Sequence, residues 1–132
     1  MITVLDVSAA VQIVLRKEKI KHFKKYYEKS NWVIAPELFI PEITNVLFKY
    51  YKANIFNHDE CRQFVSDGIA LVDAFFESKD LWTEVLGESI KYNHSAYDLF
   101  YMVLARRNNA ILLSNDRDLI KLCNKLKIEN CG

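Results

Sequence analysis

The chain has 132 residues, 51% apolar and 27% charged, with three Gly, two Pro and a formal net charge of +1. That size and composition imply one compact domain, 1–132, able to bury roughly two-thirds of the surface that the unfolded chain exposes. They exclude collagen-like, low-complexity and multi-linker chains, and the near-neutral balance excludes binding of polyanions by bulk charge, so any nucleic-acid contact must be local. No apolar run approaches the roughly 20 residues that cross a bilayer, and the amino terminus opens directly on an apolar strand pattern. Cys61, Cys123 and Cys131 are odd in number and lack C-x-x-C spacing, which suggests neither a disulfide framework nor a zinc knuckle. The expected setting is a reducing cytoplasm, with no membrane.

Ile2 to Leu5 form a short apolar run, interrupted at Asp6 and Ser8, and Ala9 to Leu15 resume as a helix: strand, turn, helix. Arg16 to Lys29 holds seven basic and two acidic residues, and Ile20, Phe23 and Tyr27 at spacings of three and four make it an amphipathic helix with a basic face. Trp32 to Ala35 reads as a second strand stopped by Pro36. From Glu37 to about Ala53 the residues Ile43, Val46, Leu47, Tyr50 and Tyr51 keep helical period, while Glu42, Asn45 and Lys49 form a polar stripe on the same helix. Asn57, His58 and Asp59 open another helix, with Gly68 as its expected end. Ile69 to Phe76 reads as strand or further helix, and periodicity leaves that open. Leu81 to Tyr92 and the more apolar Ser95 to Arg107 are helical. Ala110 to Leu113 is a clear strand, and a last helix runs through Leu119, Leu122 and Leu126. Strands alternating with helices predict a three-layer α/β sandwich with a mainly parallel central sheet of four to five strands flanked by helices.

Parallel sheets bind ligands outside the carboxyl ends of their strands, where strand order reverses. Asp6 and Asp116 each follow a short apolar strand and precede a helix. Asp98 lies in the first turn of the helix before the last clear strand, and Glu42 near the start of another helix. Each acid also has a structural reading. Asp6 fits a helix cap, Ser95 and Asp98 match a capping box, Asp116 and Asp118 suit a helix amino terminus, and Glu42 suits a solvated helix face. Taken jointly, the four converge on one crevice, and crowded carboxylates raise one another's pKa unless a cation sits among them. An all-oxygen Asp/Glu set suits Mg²⁺ or Mn²⁺ rather than zinc. The chemistry that follows is attack on phosphorus by water activated by the ion, with no Ser, Cys or His nucleophile.

The chain resembles the PIN-domain nucleases, and among them the VapC-like toxins of type II toxin–antitoxin pairs. The resemblance rests on Val4-Leu5-Asp6-Val7-Ser8, Pro41-Glu42-Ile43-Thr44-Asn45-Val46-Leu47, Ser95-Ala96-Tyr97-Asp98-Leu99-Phe100-Tyr101 and Leu112-Leu113-Ser114-Asn115-Asp116-Arg117-Asp118-Leu119, and it spans essentially the whole length. It implies catalytic, metal-holding roles for Asp6, Glu42, Asp98 and Asp116, and supporting roles for Ser8, Asn45, Ser114 and Asp118. It further implies metal-dependent endonucleolytic cleavage of RNA to a 5′-phosphate and a 3′-hydroxyl, a homodimer, and silencing by a small antitoxin protein. The alternative is a catalytically inactive PIN-like module that binds RNA or protein.

The basic stretch Arg16 to Lys29 offers phosphate attraction or a solvated face. Arg106, Arg107 and Lys49 are further candidate phosphate contacts, with the two arginines equally suited to a last helical turn. His22, His58 and His94 read as surface or capping histidines. Trp32, Trp82 and the many Phe and Tyr read as core or as dimer or antitoxin interface. Haloacid-dehalogenase chemistry needs a second Asp two residues after the first, where this chain has Ser8, and a receiver-like phosphoacceptor needs an acidic pair and a late Lys that are not evident.

Overall fold

The computed structural model describes residues 1–132. Five strands, β1 (Ile2–Leu5), β2 (Trp32–Pro36), β3 (Ala74–Phe76), β4 (Ile111–Leu113) and β5 (Asn130–Cys131), form one sheet in the order β3-β2-β1-β4-β5. Every pairing is parallel, with Val4 opposite both Ile34 and Leu112. The chain builds outward from β1 to β2 and β3, then returns to add β4 and β5 on the other side. Strand order therefore reverses between β1 and β4, which opens a crevice beyond their carboxyl ends. Val4, Leu5, Ile34, Ala35, Leu112 and Leu113 are fully buried, as strands covered on both faces require.

The helices are α1 (Val7–Val14), α2 (Ile20–Lys29), α3 (Phe39–Lys52), α4 (His58–Ala70), α5 (Trp82–Tyr92), α6 (Ala96–Asn108) and α7 (Arg117–Lys125). α6 lies across β1, β2 and β4 and also touches α5 and α7; α1, α3 and α4 pack on one another. The expected three-layer α/β sandwich is present. Leu99, Tyr101, Met102, Val103, Leu104 and Ala105 are all buried, so α6 is apolar nearly all round, as a helix enclosed by its neighbours must be. α3 buries a narrower stripe, Phe39, Ile43 and Leu47 at four-residue spacing, and keeps Asn45 and Lys49 exposed. No helix is long and apolar enough to cross a membrane.

Several local expectations need correction. Pro36 ends β2 as its last residue rather than stopping it beforehand. The basic helix begins at Ile20, because Arg16 adopts a left-handed conformation (φ 52°) and breaks the chain between α1 and α2. Ile69 to Phe76 divides into the end of α4, a turn and the short strand β3. Ser95 makes no side-chain capping bond, so the capping box with Asp98 does not form. Trp32 and Trp82 are 37% and 53% exposed and lie outside the core. With three glycines in the chain, left-handed positions past α3, α5 and α6 fall to Asn54, Asn93 and Asn109, the residue type that tolerates them best after Gly.

Gly68 does not end α4, which continues to Ala70. Its missing Cβ serves close packing against α3: a Cβ there would collide with Ile43 Cδ1, a fully buried side chain. Gly68→Ala gains about 1 kcal/mol of helix propensity but meets an overpacking cost of about 1–3 kcal/mol. The expected outcome is net destabilisation of about 1 kcal/mol in denaturant unfolding. In an Ile43→Val background, which removes Cδ1, the same change should become neutral or stabilising.

Candidate active site

The carboxyl ends of β1 and β4 are tied together by side chains rather than by the sheet alone. Asp6 follows β1, and its N–H donates to the Leu113 carbonyl at 3.1 Å. The Asp6 carboxylate caps α1 by accepting the Ala9 N–H at 3.0 Å, and it accepts the Ser8 hydroxyl at 2.6 Å on Oδ1 and the Ser114 hydroxyl at 2.5 Å on Oδ2. Ser8 Oγ accepts the Asn115 N–H at 2.7 Å and Ser114 Oγ accepts the Asp116 N–H at 3.0 Å. Two serines thus lock the turn after β4 onto Asp6. Asp116 in turn caps α7, its Oδ1 accepting the N–H groups of Asp118 and Leu119 at 3.0 and 3.3 Å.

Above this edge lies a cleft of about 410 Å³ lined by Asp6, Ser8, Glu42, Asn45, Asp98 and Asp116, together with Gln12, Lys17, Lys49 and Tyr101. All four sequence-selected acids therefore border one space, as do Ser8 and Asn45, while Ser114 supports Asp6 from behind. Asp118 does not line the cleft; it is exposed and acts there only as a distant charge on Asp98. Arg106 and Arg107 are corrected: they pair with Glu84 and Glu88 at 2.6 to 3.1 Å, at the far end of α6. A larger groove of about 730 Å³ runs along the packed pair α3 and α4, but its mostly apolar wall brings no carboxylates together.

Two supports went unseen in the sequence. The Tyr101 hydroxyl donates to Glu42 Oε1 at 2.6 Å, and His94 Nε2 meets Asp98 Oδ2 at 3.0 Å. Asp98 and Tyr101 stand three residues apart on one side of α6, and His94 lies two residues before the helix, four before Asp98; that spacing is the signal that could have found them. Glu42 Oε2, Asp98 Oδ1 and Asp116 Oδ2 are left without a protein donor.

Burial pushes the Asp6 carboxyl up to about 6, against the pull of Ser114, Ser8 and Ala9, and the Asp116 charge adds to the rise. Burial also raises Glu42 to about 6, with the Tyr101 hydrogen bond opposing and the charges of Asp6 and Asp98 reinforcing. Asp98 is raised by burial and by Asp116 and Asp118, with His94 opposing. Burial and Glu42 raise Tyr101, so its phenol stays protonated and donates. The Cys123 thiol is pushed up to about 12 by burial and the Asp6 charge, which disqualifies it as a nucleophile.

The donor set is wholly oxygen and anionic, with three free carboxylate oxygens, and this chemistry fits a hard divalent cation. In the side-chain positions seen, no three Asp, Glu, His or Cys groups enclose one ion. Glu42 and Asp98 are each held by a single side-chain partner, against three donors on Asp6.

The PIN domain family profile matches residues 3–125, and the chain belongs to that family. Among solved structures it is similar to the crystal structure of PAE2754 from Pyrobaculum aerophilum, with a TM-score of 0.72 and 20% identity over 90% of this chain and 77% of that one. At that identity the likeness shows the shared fold. A search of curated proteins finds no match. PIN domains are generally a nuclease fold that uses divalent metals.

The ordinary Asp6 value is 3.8 and its folded value about 6, so between them the folded chain binds more protons than the unfolded one. Stability must then fall as pH rises through that window and level off above it. In chelator, urea unfolding should show a loss of up to about 3 kcal/mol from this group between about pH 4 and pH 7. Asp6→Asn, which keeps a capping oxygen, should flatten that dependence.

Proposed function

We propose that the protein is a Mg²⁺- or Mn²⁺-dependent endoribonuclease that hydrolyses RNA phosphodiester bonds, acting as the toxin of a toxin–antitoxin pair. The observation that carries the reading is the single cleft bordered by Asp6, Glu42, Asp98 and Asp116 at the strand-order reversal. Asp6, Glu42, Asp98 and Asp116 would hold the ion, which supplies charge neutralisation at phosphorus and a more acidic water.

The chain's own groups set up that chemistry. Ser8, Ser114 and the Ala9 N–H fix Asp6 through both carboxylate oxygens, so it is the reference point of the site. Tyr101 and His94 turn Glu42 and Asp98 and leave one oxygen of each available. Asn45 adds a neutral polar wall, and Lys17 and Lys49 bring positive charge to a cleft that otherwise repels a polyanion. The groove between α3 and α4, and the exposed α5 stripe of Trp82, Leu86 and Ile90, offer apolar area for an antitoxin and a second copy of the chain.

Asp6→Asn and Asp98→Asn should each lower Mn²⁺-dependent cleavage of a labelled RNA by orders of magnitude while leaving the melting temperature in chelator undiminished. Chelator should abolish cleavage by the unaltered protein. A rate indifferent to chelator sinks the reading, and RNA binding without cleavage points instead to an inactive binding module. Tyr101→Phe should weaken Mn²⁺ affinity by about tenfold, as removal of an orienting partner commonly does, with the rate largely restored at excess Mn²⁺. Calorimetric Mn²⁺ titration checks this separately from activity.

A further inference from the structure

A smaller cavity of about 190 Å³ shares Asp116 with the acidic cleft; Lys19, Arg117 and Lys121 bring its positive charge, and Ser114, Asn115, Ile120 and Gly132 complete its wall. Its volume falls below the roughly 300 Å³ at which small-molecule sites begin, and no aromatic face lines it for a base to stack on. A phosphate group suits both its size and its charge. Lys19 Nζ donates to the neutral Asn115 Oδ1 at 2.8 Å, and neither Arg117 nor Lys121 has a carboxylate partner, unlike Arg106 and Arg107. The one acidic side chain in the wall, Asp116, has its Oδ1 occupied by two backbone N–H groups and its Oδ2 free, against three cationic side chains.

The cavity is held in place by a buried polar side chain. Gln12 is 5% exposed; its Oε1 accepts the Lys19 N–H at 3.1 Å and its carbonyl accepts the Lys17 N–H at 3.0 Å. With Arg16 left-handed, the turn sends Lys17 toward Tyr50 on α3 and Lys19 toward Asn115 before α7. Of the two lysines whose N–H groups Gln12 accepts, Lys17 thus lines the acidic cleft and Lys19 the smaller cavity, with Asp116 in the wall of both. A strand whose scissile phosphate lay over the acids would bring its next phosphate to the Lys19 side.

We propose that the cavity bounded by Lys19, Arg117 and Lys121 is a phosphate subsite for the nucleotide adjoining the cleaved bond of a single RNA strand, with Gln12 as the residue that positions Lys19. The proposal rests on the nuclease reading for the identity of the strand. Fluorescence anisotropy of a labelled single-stranded oligoribonucleotide, in chelator across a salt series, tests it with three variants. Lys19→Ala/Lys121→Ala should lower the slope of log affinity against log salt by about 0.7, since the subsite holds one phosphate and each phosphate neutralised on a single strand adds about 0.7. Lys19→Arg/Lys121→Arg should retain the slope, and so should Lys24→Ala/Lys29→Ala on the outer face of α2. With Mn²⁺ present, the first variant should raise KM and leave kcat unchanged. An unchanged slope in the first variant, an equal decrease in the Lys24/Lys29 control, or no binding by the unaltered chain overturns the subsite. A protein that shows the slope change yet never cleaves with Mn²⁺ overturns the nuclease reading and leaves the subsite standing.

Discussion

Asp6 is 6% exposed, and removing a carboxylate from water to that extent costs several kcal/mol unless other dipoles replace its hydration. Two serine hydroxyls and one backbone N–H do so here, and none of the three carries a positive charge. The donors come from both sides of the strand-order reversal: Ser8 and Ala9 follow β1, while Ser114 follows β4. Solvating this one group therefore requires the two strand ends to be in register. The same hydrogen bonds that solvate Asp6 hold the β1 and β4 ends together and shape the site.

The choice of neutral donors has an electrostatic outcome. A Lys or Arg partner would depress the carboxylate pKa values and cancel the field in the cleft. Instead Ser, Tyr and His groups orient the acids, burial and mutual repulsion raise Asp6 and Glu42 to about 6, and the negative potential is left to be answered by something from outside. Lys17 and Lys49 border the same cleft, yet neither pairs with an acid: Lys17 donates to the Tyr50 hydroxyl, and Lys19, beside the cleft, donates to Asn115. Cations and acids thus border one cleft without pairing, an arrangement that a net charge of +1 conceals.

What the sequence disclosed follows the reach of each signal. Apolar runs ending in Asp6 and Asp116 mark the strand ends and hence the site edge, because a buried parallel strand must be apolar and its ligand edge polar. Glu42 and Asp98 are legible as members of motifs. The bonding roles of Tyr101, His94 and Gln12 are not, because each resembles a core or surface residue until α6 and α1 are placed beside α3. Gly68 reads as an end signal although it is a packing residue, because close helix approach and helix termination favour the same residue type. The two-residue β5 lies below the length at which alternation or composition carries information, and only pairing with β4 defines it.

The placement of α6 explains how a site made from distant segments keeps its shape. His94 precedes the helix, Asp98 lies in its first turn and Tyr101 one turn further, so Asp98 is held from the chain just before α6 and Glu42 is held from α6 itself. The same helix has Leu99, Met102, Val103 and Leu104 essentially removed from solvent, which fixes its rotation against β1, β2 and β4. Groups carried on a rigid, packed element are located more accurately than groups on loops. A rotation of α6 would displace Asp98 and the Tyr101 hydroxyl together, and with them the orientation of Glu42, while Asp6 stayed with the sheet. The packing of α6 is therefore part of the chemistry of the cleft, because it sets the separation between the acids fixed to the strands and the acids fixed through the helix.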